Sequence, residues 1–96
     1  MPDYRVTMTL GGVRPGVAPD TILPTAAAAV AEFTMVEASD IAVVSGAARI
    51  TVRFEAEDAE LATQISAHVV GVTHGSVDVV DVTVTERTGA RWRTVR

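Results

Sequence analysis

Arg14 lies in a glycine-rich segment, the predicted loop Gly11–Pro24, and this combination of residue types could bind an anion. Glycines leave backbone amides free to point at a negatively charged ligand, and a guanidinium adds positive charge and several donors. The corresponding connection in the second half of the chain spans only residues 55–58, so the first loop is longer than such connections usually are. The sequence therefore marks Arg14, with Gly12 and Gly16, as candidate anion-binding residues. The alternative is a solvated surface loop stiffened by its prolines.

Polar and apolar residues alternate along three predicted strands, which places the polar set together on one face of a sheet. That set comprises Arg5, Thr7, Thr9, Arg49, Thr51, Arg53, Asp81, Thr83 and Thr85. A face of threonine and arginine does not require permanent burial. It could be a solvated surface, a wet interface between two copies, or the floor of a ligand site in which Arg5, Arg49 and Arg53 bind the ligand.

Trp92 is the only tryptophan of the chain and lies between Arg91 and Arg93. Tryptophan and arginine are enriched among residues that anchor protein interfaces. A two-residue turn at Thr88-Gly89 would place Trp92 opposite Thr85 on the polar face, whereas a one-residue shift would send it to the other face. In the alternative interpretation, Trp92 covers the sheet edge or a helix end. The predicted interface residues are Trp92, Arg91, Arg93, Thr83 and Thr85.

The last ten residues, 87–96, contain four arginines and no acidic residue, so they carry +4 on a chain of net charge −4, and the remainder sums to −8. A negatively charged protein without lysine is poorly suited to nucleic acid. A basic terminal arm is attracted to acidic protein surface, that of a second copy included. We expect self-association, with a different protein as the other option, and no nucleic-acid partner.

No group of residues forms a recognisable catalytic or metal site. His68 and His74 are six residues apart and therefore miss the i, i+4 spacing that puts two histidine ligands on one helical face. Asp78 and Asp81 are an odd number of residues apart along a strand, so they point to opposite faces. The chain has no cysteine, lysine or asparagine, which removes thiolate, lysine-amine and asparagine-oxyanion chemistry. We expect no metal and no cofactor, and the question of an enzyme stays open, with a non-enzyme favoured.

The sequence offers no segment for a membrane. Its longest run of alanine and valine, residues 26–31, is far shorter than the ~20 residues that a spanning helix needs. The first residues contain no apolar stretch of the kind that a signal peptide requires. We expect a cytoplasmic protein without a membrane partner.

The hydrophobic periods predict the order strand, helix, strand, strand, helix, strand, followed by a terminal arm. The predicted strands are residues 4–10, 41–44, 48–55, 77–86 and 90–95, and the first helix is residues 25–38. The second helix opens at Glu57-Asp58 and ends at residues 73–76, and Ser45-Gly46 forms a hairpin turn. Residues 1–96 therefore form one α+β domain, a ferredoxin-like split βαβ (βαββαβ) sandwich of two layers. We expect a four-stranded antiparallel sheet with both helices on one face and a C-terminal β-hairpin extension.

The core of this architecture is predicted from its apolar positions. The expected core residues are Val6, Met8, Val30, Phe33, Ile50, Val52, Phe54, Leu61, Ile65, Val69, Val82 and Val84. The function that we expect is a small interaction or assembly module, homo-oligomeric through the polar sheet face and the basic arm. The alternative is a protein that binds a small molecule or an anion, or an enzyme, using the Gly11–Pro24 loop and the same sheet face.

Overall fold

Five antiparallel strands form a single sheet in the computed structural model, which describes residues 1–96. The strands are β1 (Asp3–Val13), β2 (Val36–Val44), β3 (Ala47–Glu55), β4 (Val77–Thr88) and β5 (Arg91–Thr94), and the helices are α1 (Ile22–Ala31) and α2 (Ala59–His74). The order across the sheet is β2-β3-β1-β4-β5. The chain is therefore a single α+β domain. The sequence predicted a four-stranded sheet, but the sheet has five strands, because β5 pairs with β4 and continues the same sheet.

The two helices contact each other on one face of the sheet, where the apolar side of β1 is buried. The buried β1 residues are Tyr4, Val6, Met8 and Leu10. Val6 pairs with Val52 of β3 and with Val84 of β4, and all three are almost inaccessible to solvent. Ala26 and Ala62 are buried on the helices, and their small side chains let the helices approach closely. Neither helix has the length and apolar character that crossing a membrane requires.

The first helix occupies a different range from the predicted residues 25–38. It starts at Ile22, and Pro24 lies in its first turn. Backbone N–H groups of the first turn have no hydrogen-bond partner within the helix, so a proline there costs nothing. It ends at Ala31, and β2 begins at Val36, earlier than predicted, because β2 pairs with β3 along its whole length. Strand pairing therefore overrides the helix preference of the residues after Ala31.

Three residues of the predicted core are exposed instead, whereas the other nine are buried. Phe33 follows the end of α1 and is 58% exposed. Leu61 lies in the first turn of α2, where Ala62 is buried in its place. Val82 faces the helices from β4, but it lines an open groove beside α2. The alternation therefore predicted the core positions of β1 and β3 correctly, but it failed at the ends of the helices and at Val82 of β4.

The predicted loop Gly11–Pro24 is mostly regular structure. β1 continues through the glycines to Val13, a short 3-10 turn precedes α1, and only residues 14–18 lie outside a strand or helix. The pairing of β1 with β4 is irregular at this point. A Cβ on Gly11 would lie 3.1 Å from the Cβ of Asp78, so the missing side chain permits the close approach of the two strands.

Both hairpin turns contain backbone with positive φ. Ser45 and Gly46 have φ of 52° and 79°, the signature of a type I′ turn, so the turn that the sequence predicts there is confirmed. The second turn is Gly89-Ala90, one residue later than predicted, because Thr88 pairs with Arg91. Gly89 has a φ of 61°, which glycine adopts without strain.

Phe54 and Phe33 provide a test of where the core lies. Phe54→Ala should lower the free energy of unfolding by about 3–5 kcal/mol, because Phe54 is fully buried. Phe33→Ala should cost less than about 1 kcal/mol, because Phe33 is largely exposed. Chemical denaturation of both variants measures the difference. Equal losses would contradict the placement of α1 and its end.

Candidate functional site

Two arginines lie directly opposite each other on the sheet face that the helices leave uncovered. This open face carries Arg5, Thr7, Thr9, Arg49, Thr51, Arg53, Asp81, Thr83, Thr85 and Trp92. Arg5 of β1 pairs with Arg53 of β3, and like charges in directly opposed positions destabilise a sheet. The ring of Trp92 offsets part of this cost, since its centroid is 3.8 Å from the Arg5 Cζ and 5.3 Å from the Arg53 Cζ. We call Arg5, Arg53 and Trp92 the arginine–tryptophan cluster.

Acidic residues neutralise one arginine of this cluster. Arg53 donates to an Asp3 carboxylate oxygen from Nη2 at 2.6 Å, and its Nε lies 3.9 Å from a Glu37 oxygen. The hydrogen bond from Arg53 lowers the pKa of Asp3, and the same contact raises the pKa of Arg53. The neighbouring Asp3 carboxyl, through a hydrogen bond, raises the pKa of Glu37, with burial adding to the shift. At neutral pH the ionised Asp3 is therefore paired with Arg53, and Glu37 beside this ion pair is the weaker acid.

The other arginine has no acidic partner. Arg5 makes no side-chain hydrogen bond and lies in no ion pair within 4.0 Å. It lines a pocket of about 300 Å³ on the open face, together with Ala38, Ser39, Asp40, Thr51 and Arg53. Asp40 likewise has no cation within 4.0 Å. The pocket therefore contains one unpaired positive group and one unpaired negative group.

The residues of the predicted interface divide between the two faces of the sheet. Trp92 lies opposite Arg87 instead of Thr85, but this shift of two residues keeps it on the open face with Thr83 and Thr85. The neighbouring Arg91 and Arg93 alternate with Trp92 and belong to the face on which the helices pack. Arg93 lies 3.9 Å from an oxygen of Glu86.

Glu86 also receives a hydrogen bond on the helix side of the sheet. The buried Tyr4 donates its hydroxyl hydrogen bond to Glu86 at 3.3 Å. Burial raises the pKa of Tyr4, and the adjacent carboxylate adds to this effect. Tyr4 is therefore a neutral donor that joins the core to the β4–β5 hairpin, not a titrating group.

The predicted anion-binding residue Arg14 is engaged within the protein. Its Nη1 lies 2.7 Å from Asp78, and its Nε and Nη2 donate to the backbone carbonyl of His74 at 3.3 and 3.0 Å. Gly12 is part of β1, and Gly16 has a φ of 82° in the turn that follows. The contacts of Arg14 hold the end of α2 beside the end of β1. They lie at the opposite end of β1 from Arg5, about 30 Å away along an extended strand.

Arg49 and the two histidines lie apart from the arginine–tryptophan cluster. Arg49 is exposed on the open face opposite Thr9 and does not line the pocket. The Nε2 of His68 is 2.9 Å from a Glu32 oxygen, and His74 contacts Arg14. The structure thus gives the two histidines separate partners.

An acidic cluster that the sequence did not reveal joins three separate strands. Carboxylate oxygens of Asp3, Glu37 and Glu55 lie within 4.8 Å of one another, so these residues could supply oxygen ligands to a cation. The guanidinium of Arg53 already provides a positive charge to Asp3 and Glu37. Residues from β1, β2 and β3 meet there only because of the strand order, which gives no signal in sequence spacing.

The outer edge of β2 is the other prominent surface feature. β2 is nine residues long, and all but Val36 are exposed. Ile41 and Val43 are 49% and 76% exposed, on the side of the sheet on which the helices pack. We call the outer side of residues 36–44 the β2 edge.

The pH dependence of stability should distinguish Asp3 from Glu37. A carboxyl whose pKa is lowered in the folded state stabilises the fold at every pH above its ordinary pKa, which is 3.8 for Asp3. That stabilisation is lost as the pH falls from 3.8 through the lowered pKa. Asp3→Asn should therefore lower the free energy of unfolding by about 1–2 kcal/mol at pH 7. The difference from the unmodified protein should shrink as the pH falls below 3.8. A carboxyl with a raised pKa weakens the fold above its ordinary value of 4.5, so Glu37→Gln should be neutral or stabilising at pH 7.

Denaturant titrations from neutral to acidic pH measure these effects. Asp81→Asn is the matched control, because Asp81 is exposed and has no ion-pair partner, and it should change stability by less than about 0.5 kcal/mol. A loss in Asp3→Asn that is the same at every pH would contradict the ion pair as its cause.

Comparisons of this chain with protein-family models, with curated proteins and with solved structures found no match.

Proposed function

We propose that this protein is a small assembly module that associates with a second copy of itself through the β2 edge. The observation that supports the proposal is the contrast between the two edges of the sheet. Strand edges have unpaired N–H and C=O groups, and monomeric proteins usually protect them by short strands, charges or proline.

The β5 edge has such protection and the β2 edge has little. β5 is four residues long and includes Arg91 and Arg93. β2 is nine residues long and contains no proline and no basic residue. Its only charged residues are Glu37, at an irregularity of the pairing with β3, and Asp40. An exposed strand of this length with apolar side chains is typical of a surface that pairs with another strand.

The register of β2 allows it to pair with itself. The type I′ turn makes Val44 and Ala47 a hydrogen-bonded pair, so residues 39, 41 and 43 direct their backbone groups outward. A twofold axis through Ile41 would pair Ile41 with its own copy and Val43 with Ser39 of the second copy. Asp40 would then face Ala42 of the second copy, so no like charges would oppose each other. About six backbone hydrogen bonds would join the two sheets.

The sequence predicted that two copies contact each other through the polar face and the basic arm, whereas the proposed contact lies at the β2 edge. Trp92 is packed over Arg5 of its own chain, which leaves less of it for a second copy. The exposed apolar side chains of Ile41 and Val43 lie at the β2 edge instead. The two locations differ in their response to salt. A contact through the arm weakens as salt screens its charges, whereas pairing of two chains of net charge −4 through an apolar edge is maintained or strengthened.

We propose as well that the fold is the ferredoxin-like arrangement predicted from the sequence and that the protein is cytoplasmic. The order of two helices and the first four strands, with β1 between β3 and β4, is consistent with the ferredoxin-like split βαβ arrangement. In that arrangement the β2 strand is an edge of the sheet, as the proposed association requires. Residues 1–96 would act as one such domain, in the cytoplasm.

Val43→Arg tests the proposed interface. Val43 is exposed, so an arginine there should leave the fold intact while placing a charge near each end of the paired segment. Sedimentation equilibrium from about 10 µM to about 1 mM should show twice the chain mass for the unmodified protein and the single-chain mass for Val43→Arg. Val80→Arg is the matched control, because Val80 is 65% exposed on β4, away from the β2 edge, and it should retain the dimer.

Three results would overturn the proposal. The unmodified protein could stay monomeric over the whole range, or Val43→Arg could remain dimeric. A dimer that is lost in Trp92→Ala and at high salt, but not in Val43→Arg, would assign the contact to the open face and the arm.

A further inference from the structure

We infer that the open-face pocket beside the arginine–tryptophan cluster binds a small zwitterion, with a free α-amino acid as the simplest example. Its carboxylate would bind Arg5, and its ammonium group would bind Asp40. The inference concerns a different surface from the β2 edge and does not require the protein to be a dimer.

Arg5 has the properties of an anion-binding residue that is held in position. One face of its guanidinium is stacked on Trp92 at 3.8 Å, and stacking leaves the N–H groups at the rim of the plane free to donate. No residue of the chain accepts a hydrogen bond from this side chain. A planar guanidinium matches a carboxylate in two parallel hydrogen bonds, and the fixed stack reduces the entropy that binding would remove.

Arg53 lies at the same end of the pocket as Arg5, but Asp3 neutralises its charge. It is the cross-strand neighbour of Arg5, and its own charge is engaged with Asp3 at 2.6 Å. Its Nε is buried and has no hydrogen-bond acceptor. The arrangement therefore contains two opposed arginines and only one close ion pair. A ligand carboxylate at Arg5 would supply the missing negative charge.

Asp40 provides the opposite charge at the other side of the pocket. Arg5 pairs with Arg53, which pairs with Ala38, and Asp40 is two residues further along β2. Two strand spacings and one two-residue step put the Cα atoms of Arg5 and Asp40 about 12 Å apart. The two side chains form no ion pair with each other, because the Arg5 guanidinium is stacked on Trp92. This spacing is short enough for one small molecule to reach both. Thr51, opposite Asp40 on β3, adds a hydroxyl group between them.

The remaining features of the pocket exclude other classes of ligand. Its volume of about 300 Å³ is at the lower end of the range for small-molecule sites, which suits a small ligand. Ala38 is the only apolar residue among those that line it, so an apolar ligand would find little to contact. The carboxylate of Asp40 repels a doubly charged anion and favours a ligand that has a positive group of its own.

The single tryptophan gives a direct measurement of binding. Because Trp92 stacks on Arg5, a ligand that engages Arg5 should change the tryptophan emission. Titration with L-alanine should give a saturable change with a dissociation constant of about 1 mM, as expected for an open site with two charge pairs. Propionate and ethylammonium, which each retain one of the two charges, should bind about tenfold more weakly. Backbone amide shifts of Asp40 and Thr51, followed by NMR in the same titrations, are the second readout.

Two variants and a control locate the site. Arg5→Gln and Asp40→Asn should each weaken L-alanine binding about tenfold or more, and Asp40→Asn should spare propionate. Arg5→Lys retains the charge but loses the planar fork, so it should weaken binding even where Arg5→Gln is poorly folded. Arg49→Gln is the matched control, because Arg49 is an exposed arginine of the same face outside the pocket, and it should bind normally.

The inference is overturned if L-alanine produces no saturable change in either readout. It is also overturned if propionate or inorganic phosphate binds as tightly as L-alanine, since the site would then select an anion alone. Equal losses in Arg49→Gln and Arg5→Gln would remove the pocket as the location. The chain mass measured in the same solutions keeps this result separate from the assembly proposal, because the monomer and the dimer are both expected to bind L-alanine.

Discussion

The burial of one face of β1 is the constraint on which the rest of the structure depends. β1 is paired on both sides, with β3 and with β4, and its apolar residues from Tyr4 to Leu10 belong to one buried cluster with residues of both helices. A strand has a side-chain period of two, so placing Val6 in the core also places Arg5 on the open face. A slip of one residue would bury Arg5 and expose Val6, which fixes the register of the whole sheet.

The basic C-terminal arm has a structural role within its own chain. β5 pairs with β4, and the ring of Trp92 reaches back across the sheet to Arg5 and Arg53. The backbone of Val84 forms hydrogen bonds with Val95 and Arg96, so the chain end is tied to the sheet beyond β5. The arm therefore stabilises the arrangement of charges on the open face.

The two proposed activities use different directions of the same sheet. Pairing along the β2 edge extends the sheet in its own plane, whereas the pocket opens perpendicular to that plane. β2 contributes to both, because Ile41 directs its backbone outward and Asp40 directs its side chain into the pocket. A second copy at the β2 edge would leave the pocket open and would add a neighbouring wall to it.

Much of the fold was predictable from the sequence because it depends on local periods. Alternation identified the buried and open faces of β1 and β3, Ser45-Gly46 marked the first hairpin turn, and Asp58 marked the start of α2, where its carboxylate accepts the Leu61 N–H at 2.8 Å. Among the site residues, alternation also placed Arg5, Arg49 and Arg53 on one face. These features are set by neighbours in the chain, so sequence patterns report them directly.

Other features were decided only by tertiary contacts between residues far apart in the chain. The end of α1 and the exposure of Phe33 follow from the pairing of β2 with β3, which competes with helix preference. Arg14 was predicted to be free for an anion, but Asp78, on a strand 64 residues later, engages it at 2.7 Å. The unpaired state of Arg5 depends in the same way on which acids the strand order brings near it. Sequence patterns therefore determined which face the residues of β1 and β3 occupy. Tertiary structure determined which charges are neutralised, because ion pairing depends on distances across strands that are not adjacent in sequence.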